Sequence, residues 1–238
     1  MTSKRTNRRA ATTIALFALA LGTVHPTQAA TAAAASQVIS EDAIEMVRAG
    51  LRDYGVAPHT ADSLIHKLQQ GKTWDSMNGS SPISASTIDS SGSQTTTQTY
   101  ADGSVSRISV EKPERTPGAI EPRAVRSCRV SQSGSTKTFE GCWVSGGTVI
   151  VTAGFSVKYR TTPGGAQVLQ TGRESITILS LGGGWKDVRR TITRASATRS
   201  LPATARLSFV PTGATFGTTS WLEFRVARGG TATTGFSF

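Results

Sequence analysis

From Val149 to Arg160 the chain alternates: Val149, Val151, Ala153, Phe155, Val157 and Tyr159 fall on one side, with Ile150, Thr152, Ser156, Lys158 and Arg160 between them. A period of two predicts a strand with one buried face. Leu222, Phe224 and Val226 alternate with Trp221, Glu223 and Arg225 in the same way. Shorter strands are predicted within Val168–Leu179, Lys186–Thr198 and Ala205–Val210. Turns are marked by Gly146-Gly147, Pro163-Gly164-Gly165, Gly182-Gly183-Gly184, Pro202 and Pro211-Thr212-Gly213. Strands of this length, so divided, predict an antiparallel β-sandwich or small barrel over residues 126–238.

The period changes upstream. Ile44, Val47, Leu51 and Tyr54 recur at helical spacing behind Ser40, an N-cap followed by Glu41 and Asp42 where the helix dipole favours acids. Gly55 closes this helix. Thr60 is the expected cap of a second, carrying Leu64, Ile65 and Leu68 and ending at Gly71. Residues 40–77 therefore read as a helical hairpin too short to stand alone, with Trp74 as its anchor. Residues 78–94 are dominated by Ser, Thr and Gly with no core-forming pattern and read as a solvated linker. Residues 95–110 read as a β-hairpin turned at Ala101-Asp102-Gly103. Pro113, Pro117 and Pro122 mark a second linker over 111–125. The fold class expected is mainly β: a C-terminal sandwich or barrel preceded by a helical hairpin and linkers.

The first residues do not belong to this pattern. Lys4, Arg5, Arg8 and Arg9 precede a mostly apolar stretch, Ala10 to Val24, and Ala30-Thr31-Ala32 is the first strict A-x-A site, with Ala29 an alternative. That order predicts a secretory signal peptide over residues 1–32 and a secreted or envelope-associated protein. No apolar run reaches the length of a membrane-spanning helix.

Removing the leader changes the charge. The whole chain of 238 residues has 26 Lys and Arg against 15 Asp and Glu, net +11, and the leader holds four of the cations. Residues 31–125 carry 8 basic and 11 acidic residues, net −3; residues 126–238 carry 14 basic and 4 acidic, net +10. The densest basic stretch holds Lys186, Arg189, Arg190, Arg194 and Arg199, with Arg206 just beyond. It suggests contact with a polyanion: an acidic wall polymer, an acidic glycan or an anionic lipid. Few aromatics interleave with these cations and no recognition motif appears, so specific nucleic-acid binding is not expected. The rival reading is scattered solvated charge, or an acidic helical segment docked on the basic one.

Cys128 and Cys142 bracket the first hairpin of the basic segment, and a secreted chain with two cysteines is expected to pair them. His59, Asp62 and His66 alone resemble a metal or acid–base set. With His59 ahead of the expected cap they are not on one helix face, so no metal site and no cofactor is expected. No zinc-protease, nucleophile-elbow or phosphate-loop motif is present. A glycosidase-like carboxylate pair would have to come from Glu140, Glu174, Asp187 and Glu223. Trp143, Trp185 and Trp221 are candidates for stacking on sugars, although core burial is the commoner fate of tryptophan.

Trp74-Asp75-Ser76 after a short helical pair, then Tyr100-Ala101-Asp102-Gly103-Ser104-Val105, a proline-bearing linker and a two-cysteine β domain, resembles secreted proteins of unknown function from high-GC Gram-positive bacteria, best over 40–125. The resemblance implies secretion and this layout; it brings no site residues. The expected function is a secreted, non-enzymatic β module that contacts an anionic cell-envelope polymer or glycan through Lys186, Arg189, Arg190, Arg194, Arg199, Trp185 and Trp221. The alternatives are an extracellular hydrolase using the β-domain carboxylates and a membrane-active secreted toxin.

Overall fold

The computed structural model describes residues 39–90, 92–113, 128–178, 184–212 and 219–237. The described residues all lie in one compact unit, Ser36–Phe238. The predicted leader and most of the predicted proline-bearing linker lie outside the described residues.

Helix α1 (Glu41–Asp53) starts where expected, with the Ser40 Oγ accepting from the Ala43 N–H at 3.3 Å. Ala43, Val47 and Leu51 are buried along one face. The chain turns out of the helix through Gly55 at φ +81°, and the Val56 N–H reaches back to the Leu51 carbonyl at 3.0 Å. Helix α2 (Pro58–Gln69) begins earlier than the Thr60 cap predicted from sequence. Ala57 takes the cap position and Pro58 the first helical one, where a preset φ helps and a missing N–H costs nothing. His59 therefore lies inside the first turn rather than ahead of it. Ala61, Leu64, Ile65 and Leu68 form the buried face, and fully buried Trp74 closes the hairpin by donating from Nε1 to the Leu64 carbonyl at 2.8 Å.

Among the described residues, eleven strands form two antiparallel sheets. The larger runs β1 (Ser84–Asp89), β2 (Ser93–Thr99), β3 (Val105–Glu111), β5 (Thr136–Thr148), β6 (Val151–Thr162), β7 (Gly165–Ile178). Strand β4 (Arg129–Ser133) pairs with the first half of β5 while β3 pairs with its second half. The smaller sheet runs β11 (Ala232–Ser237), β10 (Ser220–Val226), β9 (Ala203–Thr212), β8 (Gly184–Arg194). The mainly β class and the two-layer antiparallel arrangement are as predicted.

Two boundaries read from the sequence differ. Residues 84–89, within the predicted Ser/Thr linker, are a strand in full register with β2, Ser84 opposite Thr99 and Asp89 opposite Gln94. The predicted 95–110 hairpin is not a separate module: Ser106 to Val110 pair with Thr148 to Val144, so it continues the sheet of the basic segment. Backbone pairing needs no apolar side chains, and β1, exposed along its whole length, leaves no hydrophobic trace in the sequence; in β3 the buried Val105 and Ile108 mark a strand but not its partner.

The predicted apolar face of β6 is fully inward, with Val151, Ala153, Phe155, Val157 and Tyr159 all buried; across the layer lie Ala205, Leu207, Phe209, Leu222, Phe224 and Val226. Phe139 stacks on Tyr159 with ring centroids 4.4 Å apart. The predicted Cys128–Cys142 disulfide is formed.

The helical hairpin covers the end of the sandwich that carries the β2–β3 and β5–β6 turns. Gly50 meets Val149 there; a Cβ on this glycine would lie 2.5 Å from Val149 Cγ1. Lys67 donates to Asp102 at 2.8 Å, Asp75 and Asp102 exchange backbone N–H to carboxylate bonds at 3.0 and 3.2 Å, and Arg107 donates to the Asp53 carbonyl at 2.9 Å while lying over the Tyr54 ring. The acidic N-terminal half thus docks on its own hairpin turn, and these contacts do not involve the basic stretch of β8.

Candidate functional site

The outer face of the four-stranded sheet is built from three cross-strand rungs. Arg189 stands opposite Ser208, which stands opposite Trp221 and then Ser237. Thr191, Arg206, Glu223 and Gly235 form the next rung, and Arg194, Thr204, Arg225 and Thr233 the third. Lys186 lies on the same face, opposite Val210. Side chains on one rung point to one side of a sheet, so Lys186, Arg189, Arg194, Arg206 and Arg225 share a face on which Glu223 is the acid.

Register shifts after Lys186 and after Ile192 make this arrangement. Strict alternation places Arg190 and Arg194 together on the side of Val188 and Ile192. The second bulge instead returns Arg194 to the outer side, where its Nη1 donates to the Pro202 carbonyl at 3.3 Å. Arg190 stays on the inner side opposite Leu207, reaches across the sandwich edge to the Gly172 carbonyl, and pairs with Glu174 at 2.8 Å. Arg199 lies in the exposed bend beyond the strand, and Trp185, 48% exposed, pairs with Pro211 on the inner-face register at the strand's start. Of the seven contact residues expected from sequence, the fold brings Lys186, Arg189, Arg194 and Trp221 onto one face and leaves Arg190, Arg199 and Trp185 off it. Arg225 joins them; its signal was its place in the Trp221–Glu223–Arg225 alternation, far along the chain from the dense basic stretch.

The centre of the face is held by one carboxylate. Glu223, 5% exposed, accepts from Arg206 through Nε and Nη2 at 2.9 and 2.7 Å and from Arg225 Nε at 2.6 Å. Arg206 also lies over the Trp221 indole, its Cζ 4.6 Å from the ring centroid, in cation–π geometry. Trp221 is therefore half-buried and fixed rather than a free paddle.

Beside this face, between edge strand β11 and the turn after Trp74, lies a groove of about 460 Å³ lined by Ser76, Ser80, Gln98, Tyr100, Trp221 and Arg225 among others. The Ser76 Oγ, on a residue only 4% exposed, has no hydrogen-bond partner. A buried hydroxyl left unmet costs about 1–3 kcal/mol. A second hollow, of about 500 Å³, lies on the outer face of the larger sheet around Trp143, Glu111, Ser109, Arg173 and Glu174. The Trp143 indole occupies the space over Gly154, and Glu111 accepts the Trp143 backbone N–H at 2.9 Å. Both carboxylates of this hollow are engaged, Glu174 by Arg190.

The four acids named for hydrolysis lie on four strands, β5, β7, β8 and β10, across both sheets, and neither hollow is lined by two of them. Glu140 pairs with Lys158 at 3.3 Å, and exposed Asp187 sits at the first bulge of β8 with φ +55°. His59 and His66 are exposed and bonded to their neighbours Thr60 and Gln70, and Asp62 faces Arg48. Among the described residues no group of three side chains is placed to hold a metal ion.

The titrations that shift belong to the scaffold. Burial alone would raise the Asp102 carboxyl, but hydrogen bonds from Lys67, Ser104 and the Asp75 N–H outweigh it and hold the pKa below the ordinary value. The hydrogen bond to Asp102 raises Lys67 in turn. Burial pushes the Tyr159 hydroxyl up to about 12.

These features define an antiparallel β-sandwich capped by a helical hairpin, with a cationic, tryptophan-bearing sheet face. No family model matches the chain, and no curated protein matches it. Among solved structures it is similar to a hypothetical protein from Listeria monocytogenes EGD-e, at 14% identity and a TM-score of 0.35, covering 61% of this chain and 94% of that one.

Proposed function

We propose that this protein is a secreted, non-enzymatic β module that holds an anionic polymer or glycan of the cell envelope on the outer face of its four-stranded sheet. The observation that carries this reading is the shared register of Lys186, Arg189, Arg194, Arg206 and Arg225 around Glu223, with Trp221 beside them. A flat cationic face suits an extended polyanion, which exchanges its counterions for fixed guanidinium groups. Trp221 adds an apolar surface of the kind that sugar rings stack on. The disulfide fits an oxidising compartment. Export through the N-terminal leader belongs to the same proposal.

The test is retention of the purified protein on isolated cell envelopes and on an immobilised polyuronate across a salt gradient. Retention falls steeply as salt rises, and Lys186→Gln with Arg189→Gln weakens it. Retention indifferent both to salt and to that double substitution refutes the assignment.

A further inference from the structure

We infer that the groove between β11 and the turn after Trp74 is a binding site for a short acidic saccharide segment, which lies against Trp221 with its anionic group on Arg225. This rests on the polyanion reading above and gives it a defined subsite. Arg225 spends Nε on Glu223. Its Nη1 and Nη2 have no hydrogen-bond partner among the described residues and lie over Gly235, where a Cβ would come within 3.3–3.5 Å of the guanidinium. A bare backbone under a planar fork leaves it open to the bidentate recognition that carboxylates and phosphates favour.

The rest of the lining suits hydroxyl groups. Gln98 accepts from Tyr100 and Ser106 through Oε1 at 3.2 and 3.3 Å, so its Nε2 donors remain for an outside acceptor. The buried Ser76 Oγ is the orphan in this wall. Its hydroxyl both donates and accepts, as a sugar hydroxyl does. A volume of about 460 Å³ is that of a small-molecule site rather than of a protein interface. The charge balance favours an anion: Arg225 and its neighbour Arg206 face the single buried Glu223.

The experiment is a calorimetric titration of the full chain with a galacturonate trimer, a phosphorylated maltotriose and neutral maltotriose. Either acidic trimer binds and the neutral one does not, and comparing the two acids shows whether the Arg225 fork prefers carboxylate or phosphate. Ser76→Ala, which removes only the orphan hydroxyl, weakens the acidic trimer roughly fivefold, and Arg225→Gln weakens it at least about tenfold. Arg199→Gln, in the exposed bend beyond β8 and off this face, leaves trimer binding within about twofold. Binding unaffected by Ser76→Ala, equal binding of the neutral trimer, or no binding of either acidic trimer overturns the site. The outer-face reading fails on a different result, polyuronate retention indifferent both to salt and to the Lys186/Arg189 double substitution.

Discussion

Arg206 donates from both Nε and Nη2 to a single carboxylate oxygen of Glu223, at 2.9 and 2.7 Å, leaving the other oxygen to Arg225. A nearly buried acid thus neutralises the middle of an otherwise cationic sheet face and fixes two guanidinium groups on it. Glu223→Gln keeps the shape but removes the charge. It is expected to destabilise the fold by about 2–3 kcal/mol, as loss of charged hydrogen bonds does, and to tighten polyuronate binding because two cations are released. Denaturant unfolding and salt-dependent retention measured on the same variant check both signs.

The side chains of Lys186 and Arg189 are exposed and make no hydrogen bond or ion pair within the described residues. Replacing either by Gln should leave stability within about 0.5 kcal/mol. Each replacement should lower the slope of log affinity against log salt by about one for a polyanion that the side chain contacts. The same change at Arg190, which is tied to Gly172 and Glu174, should alter the slope less and the stability more.

Asp102 and Lys67 make the junction of helical hairpin and sandwich pH-sensitive in two windows. The folded Asp102 pKa is lowered, so its contribution is complete above the ordinary aspartate range and is lost as pH falls through the lowered folded value. The folded Lys67 pKa is raised, so its contribution is complete below the ordinary lysine range and is lost as pH rises through the raised folded value. Asp102→Asn is expected to cost about 1–3 kcal/mol near neutrality and to flatten the acid limb of stability against pH. Urea unfolding over a pH series measures both.

The Cys128–Cys142 bridge closes a short loop, with a sequence separation of 14, that fastens β4 to the sheet beside β5. Reduction, or Cys128→Ser with Cys142→Ser, should cost about 3 kcal/mol and lower Tm by roughly 10 °C. A calorimetric scan with and without reductant gives the value, and a shift below about 1 kcal/mol contradicts the loop-closure account.

Gly154 leaves the space that the Trp143 indole fills; a Cβ there would meet ring atoms at 2.5–2.9 Å. Gly154→Val is expected to displace the indole and cost about 1–3 kcal/mol, the usual range for overpacking. Near-ultraviolet circular dichroism reports the tryptophan and thermal unfolding the stability.

Legibility followed the physics of each element. The buried face of β6 and that of β10 were read directly, since Phe155 and Phe224 sit in runs whose period can mean little else. Ser40 as a cap and Gly55 as a stop were read from their side chains, or lack of one. The start of α2 is ambiguous in the sequence because Thr60 is a good cap while Pro58 serves equally well at the first helical position. Strand β1 is silent in the sequence because its six residues, all exposed, are held by backbone bonds to β2 and by a Thr87–Thr96 hydroxyl contact rather than by burial.

The sequence by itself determined the antiparallel β core, the helical pair, the cysteine pairing and the concentration of cations after residue 126, because each is written in local periodicity, composition or a scarce residue type. Only the tertiary structure decided which cations share a surface. Two bulges in β8 turn Arg194 outward and leave Arg190 inward, and cross-strand register sets Arg206, Arg225 and Trp221 beside Arg189. A one-residue change of register reverses the face of every side chain beyond it, and that register is fixed by distant partners rather than by neighbours along the chain.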